Sequence, residues 1–203
     1  MNQSSSPPTV PRRSFLTLLT ASSVTVGGVV CTWPFINSLN TQNTTITHNY
    51  TDVDISSLKE GQQITVMWQG HAVFILHRPA KILALLQDKE LLIRLRDPSS
   101  KELQQPPYTR NWHRSIQPEI AVLIGVCTHL GCIPSLNLGN SLGGYYNCAC
   151  HGSKFDLAGR VYNNVPAPYN LPVPPYKILK PGILRIGENP EGENFSFTSI
   201  MQL

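Results

Sequence analysis

Cys127-Thr128-His129-Leu130-Gly131-Cys132 and, further along, Cys148-Ala149-Cys150-His151-Gly152-Ser153 are the two stretches on which the reading of this chain turns. Each carries a cysteine and a histidine in close succession, so two thiolates and two imidazoles arrive from separate loops. That donor set holds a [2Fe-2S] cluster with one iron on sulfur and the other on nitrogen. Cys132 and Cys150 remain, one in each loop, and the count fits a cluster plus one disulfide. Two Cys and two His also build tetrahedral zinc sites, so the spacing by itself leaves zinc open.

Working outward, Ile120 to Val126 reads as a strand that delivers Cys127 at its end, and Tyr145 and Tyr146 lead into the second loop. Ile64 to Trp68 and Ala72 to Leu76 flank Gln69-Gly70, the pattern of two short strands around a tight turn. Pro79 followed by Ala80 to Leu86 predicts a short helix, because proline is tolerated at a helix start and good helix formers follow it. Ile183 to Ile186 and Phe195 to Phe197 are expected as closing strands. Many short strands punctuated by Gly and Pro predict an all-β domain, an antiparallel β sandwich, with no internal repeat. His48, His71, His77 and His113 have no cysteine at ligand spacing and read as ordinary surface or strand residues.

The amino terminus has a different character. Pro11-Arg12-Arg13-Ser14-Phe15-Leu16 resembles the twin-arginine export signal, a route for proteins that cross already folded. A cofactor assembled in the cytoplasm requires such a route, because a chain threaded unfolded would arrive empty. Phe15 to Ile36 is apolar, diluted by Thr, Ser and Gly, and Cys31 lies within it as a small apolar residue. As a helix this stretch spans about 33 Å against a hydrocarbon layer of about 30 Å. It lacks an Ala-x-Ala cleavage site, so it reads as a retained transmembrane anchor rather than a cleaved signal. Arg12 and Arg13 then stay cytoplasmic and the rest lies in the periplasm, outside the bacterial inner membrane. The expected layout is 1–14 cytoplasmic, 15–36 anchor, 37–50 polar flexible tether and 51–203 one soluble domain. The net charge of +4 comes from scattered basic residues, read as solvated surface, with no aromatic-interleaved basic run for nucleic acid.

The two loops together resemble those of the Rieske iron-sulfur proteins, and the additional cysteine pair narrows the resemblance to the cytochrome bc type. Gly61 to His77, Ala121 to Val126 and the proline-rich Val165 to Tyr176 extend the likeness over nearly the whole chain. The resemblance implies a cluster-binding subdomain at about 126–168. Cys127 and Cys148 would hold the inner iron, His129 and His151 the outer one, and Cys132–Cys150 would be a disulfide clamping the loops. Neutral imidazoles in place of thiolates raise the potential into a range that a quinol can reduce, and reduction makes the rings more basic. The implied function is electron transfer in a quinol:cytochrome c oxidoreductase. His151 would bond ubiquinol at the cytochrome b site and take its proton, and the head would pass the electron to a c-type cytochrome.

Family resemblance also assigns Ser153 a hydrogen bond to the cluster sulfur, Leu130 an exposed docking position, and Pro166 and Pro168 a shielding loop. Gly131 and Gly152 would permit tight turns. Two positions depart from the family pattern: Phe155 stands where many relatives have Tyr, implying one missing hydrogen bond and a lower potential, and Ala149 stands where Pro is common. The family neck tends to be Ala-rich and hinge-like, and this tether is not Ala-rich. Other Rieske carriers compete with this reading. Oxygenase ferredoxins generally lack the disulfide pair and the anchor, whereas the small subunit of a periplasmic oxidase such as arsenite oxidase can share the export signal.

Overall fold

The computed structural model describes residues 11–39, 49–139 and 143–201. They fall into two compact units divided after residue 46. Of the expected tether, residues 40–48, including His48, lie outside the described residues.

The first unit is helix α1, Arg12–Leu39, with Pro34 inside it. The span Arg13–Ser38 is long and apolar enough to cross a membrane, with mean hydropathy 1.7 over its most apolar window. Its hydroxyls do not need water. Thr17 donates to the carbonyl of Arg13 at 2.8 Å, Ser23 to Leu19 at 2.7 Å and Thr32 to Gly28 at 2.9 Å. Each of these hydroxyls is thereby satisfied by its own helix, the condition for placing it in hydrocarbon.

The second unit consists of three antiparallel three-stranded sheets. In the first, β9 (Ile183–Ile186) lies between β1 (Thr51–Asp54) and β8 (Tyr176–Lys180). In the second, β3 (His71–His77) lies between β2 (Gln63–Trp68) and β4 (Ile120–Ile124). The β2–β3 hairpin turns at Gln69 and Gly70, with φ of 48° and 80°, the paired positive values of a two-residue turn matched to strand twist. All five residues of β4 are buried, as are the five central residues of β3, so these strands form the middle of the core. Helices α2 (Ala80–Leu85) and α3 (Lys89–Leu92) follow β3, and Pro79 caps the start of α2.

The third sheet, β5 (Ser135–Asn137), β6 (Tyr145–Asn147) and β7 (Lys154–Phe155), is small and carries the second loop as its β6–β7 connection. It is joined to the second sheet by stacked rings: Phe74 of β3 and Tyr146 of β6 have centroids 5.4 Å apart, and the Tyr146 hydroxyl donates to Gln63 at 2.8 Å. A Cβ at Gly125 would run into the Phe74 ring, so glycine is what lets β4 turn past that stack toward Cys127.

Two expectations are corrected. Phe195 to Phe197 forms no strand: a single 3-10 turn covers Phe197–Ser199, and the Phe197 ring packs edge-on against Trp68 at 5.1 Å. The aromatic side chains are used for packing over the second sheet instead of for pairing. The basic residues are not all solvated surface either, since Arg78, Arg114 and Arg160 are among the largest fully buried side chains. Arg78 donates to the carbonyls of Pro118, His113 and Leu157 and to Ser115. Arg114 donates to Gln105 and to the Ala158 carbonyl, and Arg160 pairs with buried Asp156 at 2.7 Å. Each guanidinium ties the 156–160 turn, just beyond the second loop, to the segments between Arg78 and Pro118. Burial pulls Arg78 down to about 10 and Arg114 down to about 9, so both remain cations at neutral pH.

Candidate metal centre

The two loops have the same backbone frame. In the first, the amide of Cys127 donates to the carbonyl of Cys132 at 2.7 Å and the amide of Gly131 to that of Cys127 at 2.9 Å. In the second, Cys148 donates to Ser153 at 2.8 Å and Gly152 to Cys148 at 2.9 Å. Gly131 and Gly152 have φ of 84° and 79°, a left-handed conformation that side chains disfavour, and both would leave a Cβ in open space. Conformation, not crowding, selects glycine at these two positions.

Within these frames the four expected ligands come together in a graded way. Cys127 and Cys148 are 1% exposed and neither is in a disulfide. His129 is half-buried and His151 exposed, and their rings meet edge to face with centroids 4.7 Å apart. Sulfur therefore lies inside and nitrogen outside. Cys132 and Cys150 form the disulfide, with Cα atoms 6.7 Å apart, tying one loop to the other. The sulfurs of Cys132, Cys148 and Cys150 all lie within 4.8 Å of one another. Two of those are bonded to each other and have no thiolate to offer, so the donors that remain are Cys148 and its neighbour Cys127.

The donor set fits a metal cluster on two further observations. His129 Nδ1 is buried without a hydrogen-bond partner, a costly state for a ring nitrogen unless something electrophilic meets it. Burial pushes the Cys127 thiol up, and the adjacent Cys148 adds to this, while the His129 amide and the Ser153 hydroxyl bond to its sulfur and favour the thiolate. Cys127 is thus a poor free acid and a good ligand, because a cation held between two neighbouring sulfurs removes the repulsion between charged forms.

The surroundings are more extensive than the sequence motifs suggested. The Thr128 hydroxyl donates to the carbonyl of Tyr169 at 2.7 Å, and Ser153 Oγ accepts from the amide of Ala167 at 3.0 Å, so both loops are laced to the proline-rich segment. From Asn170 to Tyr176 that segment is buried throughout, and the carbonyl of Pro172 receives the amide of Ile124. From Asn170 onward it is part of the core. Leu130 is 71% exposed beside the histidine pair, and Ile133 is exposed nearby. Phe155 is fully buried opposite Tyr146. Of the remaining histidines, His77 Nδ1 lies 2.8 Å from the Leu58 carbonyl and His113 is buried against Ser115, so neither belongs to the site. Thr128 and Asn170 carried no spacing signal and were found only through their contacts.

Residues 48–176 match the model of the Rieske [2Fe-2S] domain, and residues 3–42 match that described as the Ubiquitinol-cytochrome C reductase Fe-S subunit TAT signal. The chain is similar to the ubiquinol-cytochrome c reductase iron-sulfur subunit of Allochromatium vinosum, 40% identical with 88% of this chain and 89% of that protein covered. It is similar to the protein of the same name from Rickettsia felis, 43% identical with 87% and 93% covered. Among solved structures it is similar to one titled "Hyperthermophilic respiratory Complex III", 22% identical, covering 83% of this chain and 98% of that one, with a TM-score of 0.44. These relatives favour the quinol-oxidising complex over the small subunit of another periplasmic oxidase.

Proposed function

The chain belongs to the Rieske [2Fe-2S] family, as an electron-transfer subunit of the cytochrome bc complex, and on that footing we propose that its exposed His151 receives the proton of ubiquinol as the head receives an electron. Cys127 and Cys148 would hold one iron and His129 and His151 the other. When bound, the [2Fe-2S] cluster supplies a one-electron acceptor whose reduction makes the imidazoles more basic.

The chain's own residues do the rest. The buried thiols and the proline loop keep water from the sulfur side. His151 is exposed and would offer a ring nitrogen to a quinol hydroxyl, then hold its proton until the head leaves. His129 stands edge to face against it, with ring centroids 4.7 Å apart, as the second imidazole of the pair. Leu130 offers an apolar contact for the rim of a docking site on cytochrome b. The head would then meet a c-type cytochrome through the same exposed tip.

The single observation that carries this reading is the gradation from buried thiols to an exposed imidazole pair flanked by an exposed leucine. The chain is membrane-anchored, and the proposed layout keeps 1–14 in the cytoplasm, 15–36 across the membrane, 37–50 as tether, and 51–203 in the periplasm with cluster subdomain 126–168. A redox-poised EPR titration on membranes, with and without a quinol-site inhibitor, tests it. The cluster signal is expected to change with the inhibitor; a spectrum indifferent to it would count against quinol docking at His151.

A further inference from the structure

The proline loop over the buried thiols cannot hold itself by ordinary backbone pairing. Pro166 and Pro168 have no N–H, and the carbonyls of Val165 and Ala167 receive from outside the loop. Both go to one side chain, Arg96: Nη1 donates to the Ala167 carbonyl at 2.8 Å and Nη2 to the Val165 carbonyl at 3.0 Å. Arg96 is itself fixed by its neighbours. Its amide donates to the Val161 carbonyl at 2.9 Å, Leu95 bridges Tyr162, and the Asp97 carbonyl receives the Asn170 side chain at 3.1 Å.

The loop so held aims the Ala167 amide at Ser153 Oγ, 3.0 Å away. A hydroxyl has one proton to give, and an oxygen that already accepts from an amide has its proton directed elsewhere. Ser153 is buried on the thiol side of the site, so that proton is left for a sulfur of the centre. A hydrogen bond to such a sulfur stabilises the more negative, reduced state of the centre, so it raises the potential.

We propose that Arg96 is a positioning residue for the redox centre: its guanidinium fork sets the proline loop, the loop's Ala167 amide orients the Ser153 hydroxyl, and that hydroxyl tunes the potential of the centre. The inference rests on the assignment of Cys127 and Cys148 as iron ligands. It depends on the fork rather than on the charge, since one planar group must reach two carbonyls. Lysine keeps the charge and cannot reproduce that geometry.

The test is an EPR redox titration of the full chain in membranes for the wild type, Arg96→Lys, Ser153→Ala and the double variant. Arg96→Lys is expected to lower the equilibrium constant for reduction by about tenfold, in the same direction as Ser153→Ala. The double variant should titrate with Ser153→Ala alone, because both changes remove the same bond. Amide exchange at Ala167 in the detergent-solubilised full chain should accelerate in Arg96→Lys. A wild-type potential in Arg96→Lys, or effects that add in the double variant, would overturn the role of Arg96 and leave the ligand assignment standing. A wild type without a [2Fe-2S] signal would sink the ligand assignment, and this inference with it.

Discussion

The first loop, Cys127–Cys132, and the second, Cys148–Ser153, repeat one backbone design and use it for different ends. Amide-to-carbonyl bonds, glycine conformation and a buried leading cysteine recur at equivalent positions. The surroundings differ. The first loop joins the buried strand β4 to the third sheet, presents Leu130 to solvent and keeps His129 half-buried with an unpartnered Nδ1. The second closes the β6–β7 hairpin, leaves His151 exposed, and runs into the Asp156–Arg160 turn anchored in the core. A shared frame buries the two leading cysteines alike; asymmetry in what lies around it leaves His151 exposed and His129 half-buried.

If the two frames are equivalent as ligand holders, Cys127→Ser and Cys148→Ser should have the same effect, complete loss of the cluster EPR signal with no acid-labile sulfide in the purified chain. A variant retaining a normal signal would break the equivalence. Smaller is the effect of unlinking the loops. Cys132→Ala together with Cys150→Ala removes a crosslink between residues separated by 18 positions, and stability measured by chemical denaturation should fall by about 3 kcal/mol. An unchanged midpoint of unfolding would mean that each frame stands without its partner.

The smallest change sharpens the asymmetry. Phe155 is buried directly after the second loop, at the position where the family resemblance places a tyrosine. Phe155→Tyr should raise the midpoint potential by roughly 30 to 60 mV, the equivalent of about 0.7 to 1.4 kcal/mol for one electron. An unchanged or lowered midpoint would remove Phe155 as the reason for a low potential.

Much of the site was legible because its parts are chemically rare and local. A Cys and a His within a few residues, twice, leave few alternatives, and the strand that delivers Cys127 is a plain apolar run. The β2–β3 hairpin and the helix after Pro79 were legible for the same reason: turn and capping residues act on their immediate neighbours. Strand β8 was hidden by the prolines before it, and β1 by its alternation of two aspartates with a threonine and a valine. Arg78, Arg114 and Arg160 look like any surface arginine, since their partners are carbonyls distant in the chain.

The sequence by itself marked out the candidate donor residues, a cysteine count that fits one disulfide and the separate apolar segment, because thiols, imidazoles and an uncharged run declare their chemistry wherever they fold. Only the tertiary structure decided which sulfurs pair and which stay free, which imidazole faces outward, and which arginine holds the loop above Ser153. Those choices are made by distances between segments far apart in the chain. Burial and hydrogen-bond geometry fix such distances, and residue type alone does not encode them.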